Sequence, residues 1–577
     1  MTNAEIAETL ETLADLLEFQ GANSFRTRAY RNGARAIRNL TESVQSILED
    51  PSRKITDLEG IGKSVGEKCA VLVETGQLPQ MQELLEKVPA TVLDMLRIPG
   101  LGPKKAAVLF NELNIQDLEQ LRAACLEEKI RELKGFAAKT EVAILKGIDE
   151  AESANRRMFW ADADEIVTAL KQHFAKIDVI DKIEIAGSYR RGKETVGDLD
   201  ILVVSVEVEQ VMDHFGTYVG IADVLVRGGT KMAIRLHTGL QIDLRVVPEE
   251  SFGAALQYFT GSKEHNVVLR GLARQHGLKI NEYGVFRIDG ENEEYIAGAT
   301  EKDVYATLNL PVFPPETREN RGEFDLAENN ATLPELIQLQ DIVGDLHMHT
   351  TSTDGEGTIE EMAAAARARG LKYIAITDHS QRWMGQGMNP ETLLAQWKEI
   401  DEINARAEDD FLILKGIECD ILEKGGLDLP DDILAQGDWV LASIHYGQQQ
   451  PREQINQRML EALESPHVNA IAHPTGRLVN KRKAYDLDTD MLIKKAKEHG
   501  TILELNAHPA RLDLNEIYCA GAKRLGVPIV INTDAHSVRG LDVMRYGILQ
   551  ARRAGLTPAD VVNTREWSHI EGLKLQG

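Results

Sequence analysis

Three acids in the middle of the chain are spaced for phosphoryl chemistry. Asp198 and Asp200 lie two residues apart, and Asp243 follows in the alternating run Leu240-Gln241-Ile242-Asp243-Leu244. Residues two apart on a strand share a face, so Asp198 and Asp200 point the same way, and a neighbouring strand can set Asp243 beside them. Three carboxylates at one point repel one another unless divalent cations sit between them. Two such cations, about 3.5 to 4 Å apart, are the usual arrangement for in-line attack on phosphorus. Upstream, the alternately apolar run Lys182 to Ala186 delivers Gly187-Ser188 into a turn whose bare backbone amides can hold a triphosphate, and Arg190-Arg191 follow. Any one of these pieces reads equally as a glycine-rich turn with surface acids. Turn, arginine pair, Asp-x-Asp and later Asp in that order point to nucleotidyl transfer.

A second set of ligand-type residues begins after Asp341. Seven apolar runs each end in one: Asp345-Leu346-His347-Met348-His349, Ile376-Thr377-Asp378-His379, Gly416-Ile417-Glu418, Ser443-Ile444-His445, Ala472-His473-Pro474, Glu504-Leu505-Asn506 and Asn532-Thr533-Asp534-Ala535-His536. Helical patterns lie between them. Strand, functional residue and helix, repeated in this way, predict a barrel of parallel strands with its chemistry at the strand C-terminal ends. Asp354 follows the His-x-His on a loop. One histidine on an apolar strand is usually a satisfied core residue, but a set at successive strand ends reads as a metal centre. Mixed imidazole and carboxylate ligands suit manganese, zinc or iron better than magnesium.

The elements that must carry these residues fill a chain of 577 residues, long enough for several domains. A net charge of −26 argues against general nucleic-acid affinity, so DNA contact has to rest on local basic patches. Cys69, Cys125, Cys419 and Cys519 are far apart, which indicates neither a disulfide framework nor a zinc ribbon. The first residues carry no signal-peptide pattern and no apolar run is long enough to span a bilayer, so a cytoplasmic protein is expected, with no membrane partner. Ile6, Leu10, Leu13 and Leu17 form one helical stripe. Between Asn23 and Leu40, Arg26, Arg28, Arg31, Arg35 and Arg38 occur without one acid, a face suited to a phosphate backbone. Leu58-Glu59-Gly60-Ile61-Gly62-Lys63-Ser64-Val65-Gly66 precedes a helical pattern, and Ile98-Pro99-Gly100-Leu101-Gly102-Pro103-Lys104-Lys105-Ala106 repeats the arrangement. Glycines there permit a tight hairpin, and the next helix aims free N–H groups at a phosphate, with Lys63, Lys104 and Lys105 adding charge. Leu133-Lys134-Gly135-Phe136 is a degenerate third copy. Leu310-Pro311-Val312-Phe313-Pro314-Pro315 and the charged stretch after it, to Pro334, are expected to be a linker without helix or central strand.

The first two glycine patterns resemble helix-hairpin-helix motifs. With the acid triad and Tyr258-Phe259-Thr260-Gly261-Ser262-Lys263-Glu264-His265-Asn266, the first half resembles the family X DNA polymerases, the repair group that includes DNA polymerase beta, and specifically the bacterial members with an extra C-terminal domain. The second half resembles the polymerase and histidinol phosphatase (PHP) family. The resemblance implies a multidomain α+β and α/β protein: a helical helix-hairpin-helix N-terminal region, a nucleotidyltransferase palm with thumb, and a C-terminal distorted (β/α)7 PHP barrel. It divides the chain into a lyase-like DNA-binding domain (1–80), a fingers-like domain with the second hairpin (81–155), palm (156–250), thumb (251–318), linker (319–336) and PHP domain (337–577).

It also implies roles. Asp198, Asp200 and Asp243 would hold Mg2+ or Mn2+, with Asp243 on the first cation only. Gly187, Ser188, Arg191 and the Gly197 amide would hold the nucleotide's phosphates, Tyr258, Phe259 and Gly261 its sugar, and Asn266 its base edge. Arg270 would touch the template, and Lys231, in Gly229-Thr230-Lys231, the DNA backbone. Gly60, Gly62, Lys63, Gly100, Gly102, Lys104 and Lys105 would meet DNA, with Na+ or K+ on the hairpin carbonyls. Lys68 aligns with the family's Schiff-base lysine of a deoxyribose-phosphate lyase, although Ser64 and Asn32 replace the lysines that hold the 5′-phosphate in the animal enzyme. The nine PHP ligand positions, serving three divalent metals, are His347, His349, Asp354, His379, Glu418, His445, His473, Asp534 and His536, whereas Asp378, Glu504 and His508 are not ligands. The expected function is gap-filling synthesis in base excision repair on gapped or primer-template DNA from deoxynucleoside triphosphates, by a monomer. The PHP half would add 3′-to-5′ exonuclease activity, with 3′-phosphate removal or cutting at abasic sites as further options. A DNA-tethered phosphatase of histidinol-phosphate-like esters and a non-enzymic DNA-end scaffold are the alternatives.

Overall fold

The computed structural model describes residues 3–571 apart from 39, 41–43, 59, 86, 89–90, 96–97, 99–100, 134, 155–156, 291, 330–332 and 408–410. It divides into two compact units, Met1–Arg156 and Arg157–Gly577. No helix among the described residues is long and apolar enough to cross a membrane.

The first unit is helical. Ile6, Leu10, Leu13 and Leu17 of helix Asn3–Phe19 are buried, as their spacing requires, in a core shared with Tyr30, Ala34 and Ile37 of helix Ser24–Arg38. The basic face of that second helix is partly occupied from within. Arg31 pairs with Asp15 and Glu18, each at 2.6 Å, while Arg26 and Arg28 are exposed. Helix Lys63–Thr75 starts on Gly62 and helix Pro103–Leu113 on Gly102, both in extended conformation and neither with a side-chain cap. Ahead of the first intrahelical bonds lie the N–H groups of Lys63 and Ser64 in one helix and of Lys104 in the other, since Pro103 has none. The degenerate third copy adopts the same hairpin. A single 3-10 turn, Ile55–Asp57 or Ile130–Glu132, leads to a left-handed glycine, Gly60 at φ 85° or Gly135 at φ 92°. The turn is closed by Ile61 N–H to Leu58 O at 3.1 Å in the first copy and by Phe136 N–H to Leu133 O at 3.0 Å in the third. Gly100 and the side chain of Lys104 lie outside the described residues.

In the second unit, β1 (Met158–Phe159) pairs with β3 (Thr195–Val196), and a five-stranded sheet runs in the order β2-β4-β7-β6-β5: Lys182–Ile185, Asp198–Val204, Gln241–Val247, Lys231–Leu236 and Ile221–Arg227. Only β4 and β7 are parallel. Leu199, Ile201 and Val203 of β4 and Ile242, Leu244 and Val246 of β7 are buried in a core with helix Trp160–Phe174, which leaves the alternate residues Asp198, Asp200 and Asp243 on the other face. Next come helices Phe252–Thr260 and Lys263–Gln275 and the antiparallel meander β8 (Leu278–Asn281), β9 (Gly284–Asp289) and β10 (Asn292–Ala297).

The segment expected to be a helix-free linker is built differently. It contains a helix, Glu323–Asn329, and buries Arg318, Glu319 and Glu323. The charges that suggested solvent exposure are paired inside: Glu323 with His265 at 2.9 Å and Glu319 with Arg191 and Arg553, each at 3.0 Å.

The last sheet holds seven parallel strands in chain order: β11 (Gly344–Asp345), β12 (Tyr373–Ile376), β13 (Leu412–Asp420), β14 (Trp439–Ser443), β15 (Ala470–Ile471), β16 (Ile502–Asn506) and β17 (Ile529–Asn532). A bridge between Met348 and Ala535, with His349 N–H on Ala535 O at 2.8 Å, joins the first strand's exit to the last strand's exit and makes the sheet a nearly closed barrel.

The helix that carries Tyr258 and Phe259 depends on Gly253, where a Cβ would lie 2.1 Å from the Thr300 carbonyl carbon. Backbone cannot yield as a side-chain tip can, so G253A is expected to cost about 1–3 kcal/mol. A lowered urea midpoint checks this.

Candidate active sites

The parallel register of β4 and β7 sets Asp200 directly opposite Asp243, with Asp198 two residues back on the same face. Partial burial and then the charge of Asp243 raise the Asp198 carboxyl above its ordinary range; burial, Asp198 and Asp243 push Asp200 up to about 7. Gly187, at φ 66°, comes so close that a Cβ there would lie 2.9 Å from Asp200 Oδ2. Only glycine allows the turn and the acid to meet. Asp243 Oδ2 accepts from Gln241 Nε2 at 3.1 Å, and Lys231 Nζ stands 3.4 Å from Oδ1. Lys231 thus reaches the acid cluster from the adjacent strand.

Beside the acids is a cavity of about 690 Å³. Gly187, Ser188, Arg191, Asp198, Asp200, Tyr258, Phe259, Gly261, Asn266 and Arg270 all line it, which joins the residues singled out in the sequence into one wall. Gly197 and Asp243 are not among the lining residues. Ser188 Oγ is buried without a hydrogen-bond partner, and Asp243 Oδ1 likewise. Buried polar atoms are normally satisfied, so both fit a missing phosphate or cation. Tyr258 and Phe259 pack edge to face at 5.1 Å, and Asn266 Nδ2 donates to Tyr258 O at 2.8 Å while Arg270 Nε donates to Asn266 O at 3.1 Å. Arg191 is engaged: its Nε pairs with Glu319 at 3.0 Å and its Nη1 donates to Thr260 O. Arg157, Lys193 and Lys263, to which the sequence reading gave no role, also line the cavity.

At the barrel's ligand end, the nine histidines and carboxylates converge. Ligand atoms of His349, Asp354, His379 and His536 lie within 4.8 Å of one another, as do those of His347, His349 and Asp534, and those of His379, Glu418 and His445. His473 Nε2 joins them 2.9 Å from Glu418 Oε1. His349 stacks between His379 and His536, at 4.3 Å from each, and burial with the charge of His379 pushes it down to about 4. For His379 burial opposes the charged form, but Glu418 and Asp354 outweigh it and push it up to about 10. His347 Nε2, His349 Nδ1 and Nε2, His379 Nε2, Glu418 Oε2 and His473 Nδ1 are buried without hydrogen-bond partners. Such a donor set fits divalent cations.

Neighbouring groups orient these rings. Glu504 Oε1 bonds His347 Nδ1 at 2.7 Å and its Oε2 accepts the His473 N–H at 2.6 Å. Asp378 accepts from Thr350 N–H, Thr350 Oγ1 and Gln396 Nε2 at 2.9, 2.6 and 2.7 Å, which fixes the loop after His349. The His508 ring accepts the Ala510 N–H at 3.2 Å. Three residues escaped the sequence reading: Asp420, 2.8 Å from His445 Nδ1; Trp383, stacked 3.9 Å from His379; and Arg511, 3.3 Å from Asp534 Oδ2. Asp420 had a signal, since it stands two residues beyond Glu418 on the same strand. Trp383 and Arg511 lie on loops and had none. In the first unit, Lys68 Nζ sits 5.4 Å over the Tyr30 ring, whose hydroxyl is 3.1 Å from Ser64 Oγ.

Family models match in sequence along the chain: helix-hairpin-helix domain at residues 1–78, SAM-like helix-hairpin-helix tandem at 92–150, DNA polymerase beta palm at 157–248, DNA polymerase beta thumb at 255–319 and PHP domain at 345–508. DNA polymerase/3′-5′ exonuclease PolX of Bacillus subtilis is 40% identical over 574 residues, covering 99% of both chains. DNA polymerase lambda of Rattus norvegicus is 27% identical over 347 residues, 55% of this chain and 56% of its own. A probable phosphatase of Acetivibrio thermocellus is 34% identical over 207 residues, 34% of this chain and 79% of its own. The chain belongs to the bacterial family X DNA polymerases that combine a helix-hairpin-helix region, palm and thumb with a C-terminal PHP domain.

Proposed function

We propose that this protein extends primer 3′ ends across gaps in DNA, using deoxynucleoside triphosphates at the palm, and degrades DNA from the 3′ end at the PHP centre. The observation that carries the reading is that one chain, collinear over 99% of its length with a polymerase/exonuclease, keeps both an acid triad in register and the full imidazole-carboxylate cluster.

In the palm, Asp198 and Asp200 would hold Mg2+ or Mn2+ against the nucleotide's phosphates, and all three acids would hold the cation at the primer terminus. Ser188 Oγ, Arg191 and the Gly187 and Gly197 backbone receive the triphosphate, Tyr258 and Phe259 pack on the sugar, and Asn266 and Arg270 face the base pair. In the PHP domain the nine ligands would hold three cations of manganese, zinc or iron type. Divalent cations at the two centres supply activation of the attacking oxygen and neutralisation of charge at phosphorus. The chain's own part is to orient the ligands: Glu504 on His347 and Asp420 on His445 each fix a ring through Nδ1 and leave Nε2 to the cluster. The hairpin glycines Gly60, Gly62, Gly100 and Gly102, with Lys63, Lys104 and Lys105, would grip DNA phosphates beside a bound Na+ or K+. A monomer working in the cytoplasm in base excision repair completes the reading.

The likeness of 207 residues of the chain to a probable phosphatase favours one competing reading, a small-molecule phosphatase tethered to DNA. Faster turnover of phosphate monoesters than of DNA 3′ ends would establish it instead.

D243A is expected to lower gap-filling synthesis by roughly 10²-fold or more, while DNA binding and 3′-end degradation persist. Extension by D243A at the wild-type rate would contradict the assignment. E504Q is expected to weaken cation binding at the PHP centre by about 10- to 100-fold, measured by metal titration, and to slow degradation without slowing extension. Undiminished metal affinity in E504Q would contradict the orienting role.

A further inference from the structure

The nucleotide cavity of the palm has a wall from the PHP domain. Glu516 and Arg553 line it, both from helices that pack around the barrel: Glu516–Leu525 and Met544–Arg553. The loop after the Gly187-Ser188 turn is tied to that domain residue by residue. Arg553 Nη1 donates to Arg191 O at 2.8 Å, Gln550 Nε2 to Gly192 O at 2.9 Å, and Arg477 Nη2 to Glu194 Oε2 at 2.7 Å.

At the centre of this contact is Glu319. It accepts from Arg191 Nε at 3.0 Å and from Arg553 Nη1 at 3.0 Å, with Lys193 Nζ at 3.6 Å. The other terminal nitrogen of Arg553 holds Glu516 at 3.0 Å, which in turn stands 3.4 Å from Arg321. Glu319 and Arg553 are both buried. Burial works against the Glu319 carboxylate, yet Arg553, Lys193 and Arg191 hold it down at about 2.

Arg191, which the proposed function gives to the triphosphate, is therefore engaged by a buried carboxylate. It can turn to a phosphate only if Glu319 keeps another cation, because a buried charge that loses its partner is strongly destabilised. Of the other cations that act on Glu319, Lys193 stands farther off and Arg321 contributes through its charge, while Arg553 makes the close, directed bond.

We propose that Arg553 of the PHP domain is a positioning residue of the polymerase's nucleotide site: it keeps Glu319 paired while Arg191 moves to the triphosphate, and it anchors the Arg191 backbone at the cavity wall. The proposal rests on the reading of the palm as a site for deoxynucleoside triphosphates. It makes the PHP domain a structural part of the polymerase, over and above its own chemistry.

The test is steady-state gap filling by the full-length protein and its R553M, E319Q and R553M/E319Q variants, with 3′-end degradation of single-stranded DNA as a parallel readout. R553M is expected to raise the KM for nucleotide about tenfold while kcat stays within about twofold. Removing the stranded acid should reverse this, bringing the KM of R553M/E319Q to within about threefold of the wild-type value. E319Q alone, which frees Arg191, is expected to lower the KM about threefold, and it carries the test if R553M loses degradation together with synthesis. An unchanged KM in R553M, a raised KM that E319Q does not reverse, or a KM in E319Q at or above the wild-type value would overturn the proposal. Wild-type protein that degrades DNA but never extends it would instead remove the reading beneath it, an outcome separable from wild-type extension with an indifferent R553M.

Discussion

The parallel register of β4 and β7 sets Asp200 opposite Asp243, and the rest of the palm is arranged to keep that register against the repulsion it creates. A slip of one residue would turn the carboxylates into the core and Leu199, Ile242 and Leu244 out of it. The burial of those side chains against helix Trp160–Phe174 is the opposing force. Once the register is held, burial and crowding drive Asp200 up to about 7, a position that makes sense for a group built to share cations rather than to stand alone. Gly187 then fits against Asp200 and brings the Gly187-Ser188 turn to the same point.

The barrel meets the same difficulty by interleaving signs. Glu418 lies among His347, His349, His379, His445 and His473, each with a ring nitrogen within 3.6 Å of a Glu418 carboxylate oxygen. Two of the nine, His473 at φ 28° and Asp534 at φ 55°, occupy left-handed backbone that such residues rarely adopt. Strain of this kind persists where the surroundings over-determine it. Glu504 grips the His473 N–H, and Asn506 Nδ2 donates to Asp534 Oδ2 at 3.0 Å, so residues of β16 hold both strained neighbours in place. The palm and the PHP domain meet along the loop after Gly187-Ser188, where Arg553 bonds Arg191 O and Glu319, Gln550 bonds Gly192 O and Arg477 bonds Glu194.

Much of this was legible in the sequence because chemistry sits at strand ends in a parallel barrel. The seven ligand-bearing runs gave strand order and site together, and two-residue alternation placed Asp198 and Asp200 on one face. What stayed hidden depends on long-range packing. Residues 319–336 were expected to be a linker, since a run of charges gives no sign that each will find a buried partner elsewhere; Glu323 meets His265 and Glu319 meets Arg553. The third hairpin was obscured by its side chains, although its backbone needs only Gly135 in the left-handed region. The sequence also did not show that the pairing of β6 with β7 brings Lys231, expected at the DNA backbone, to within 3.4 Å of Asp243. Nothing in the order of residues could show that Glu516 and Arg553, more than 300 positions beyond Gly187-Ser188, line the same cavity.

The most direct test uses the unaltered protein with manganese and a 5′-labelled primer annealed across a short gap, with and without deoxynucleoside triphosphates, and resolves products by length. Extension to the end of the gap with nucleotides and stepwise shortening without them is the expected result, since it requires both centres to act on one DNA end. Shortening under both conditions would leave the acid triad without its polymerase role. An unchanged primer throughout would contradict the account as a whole.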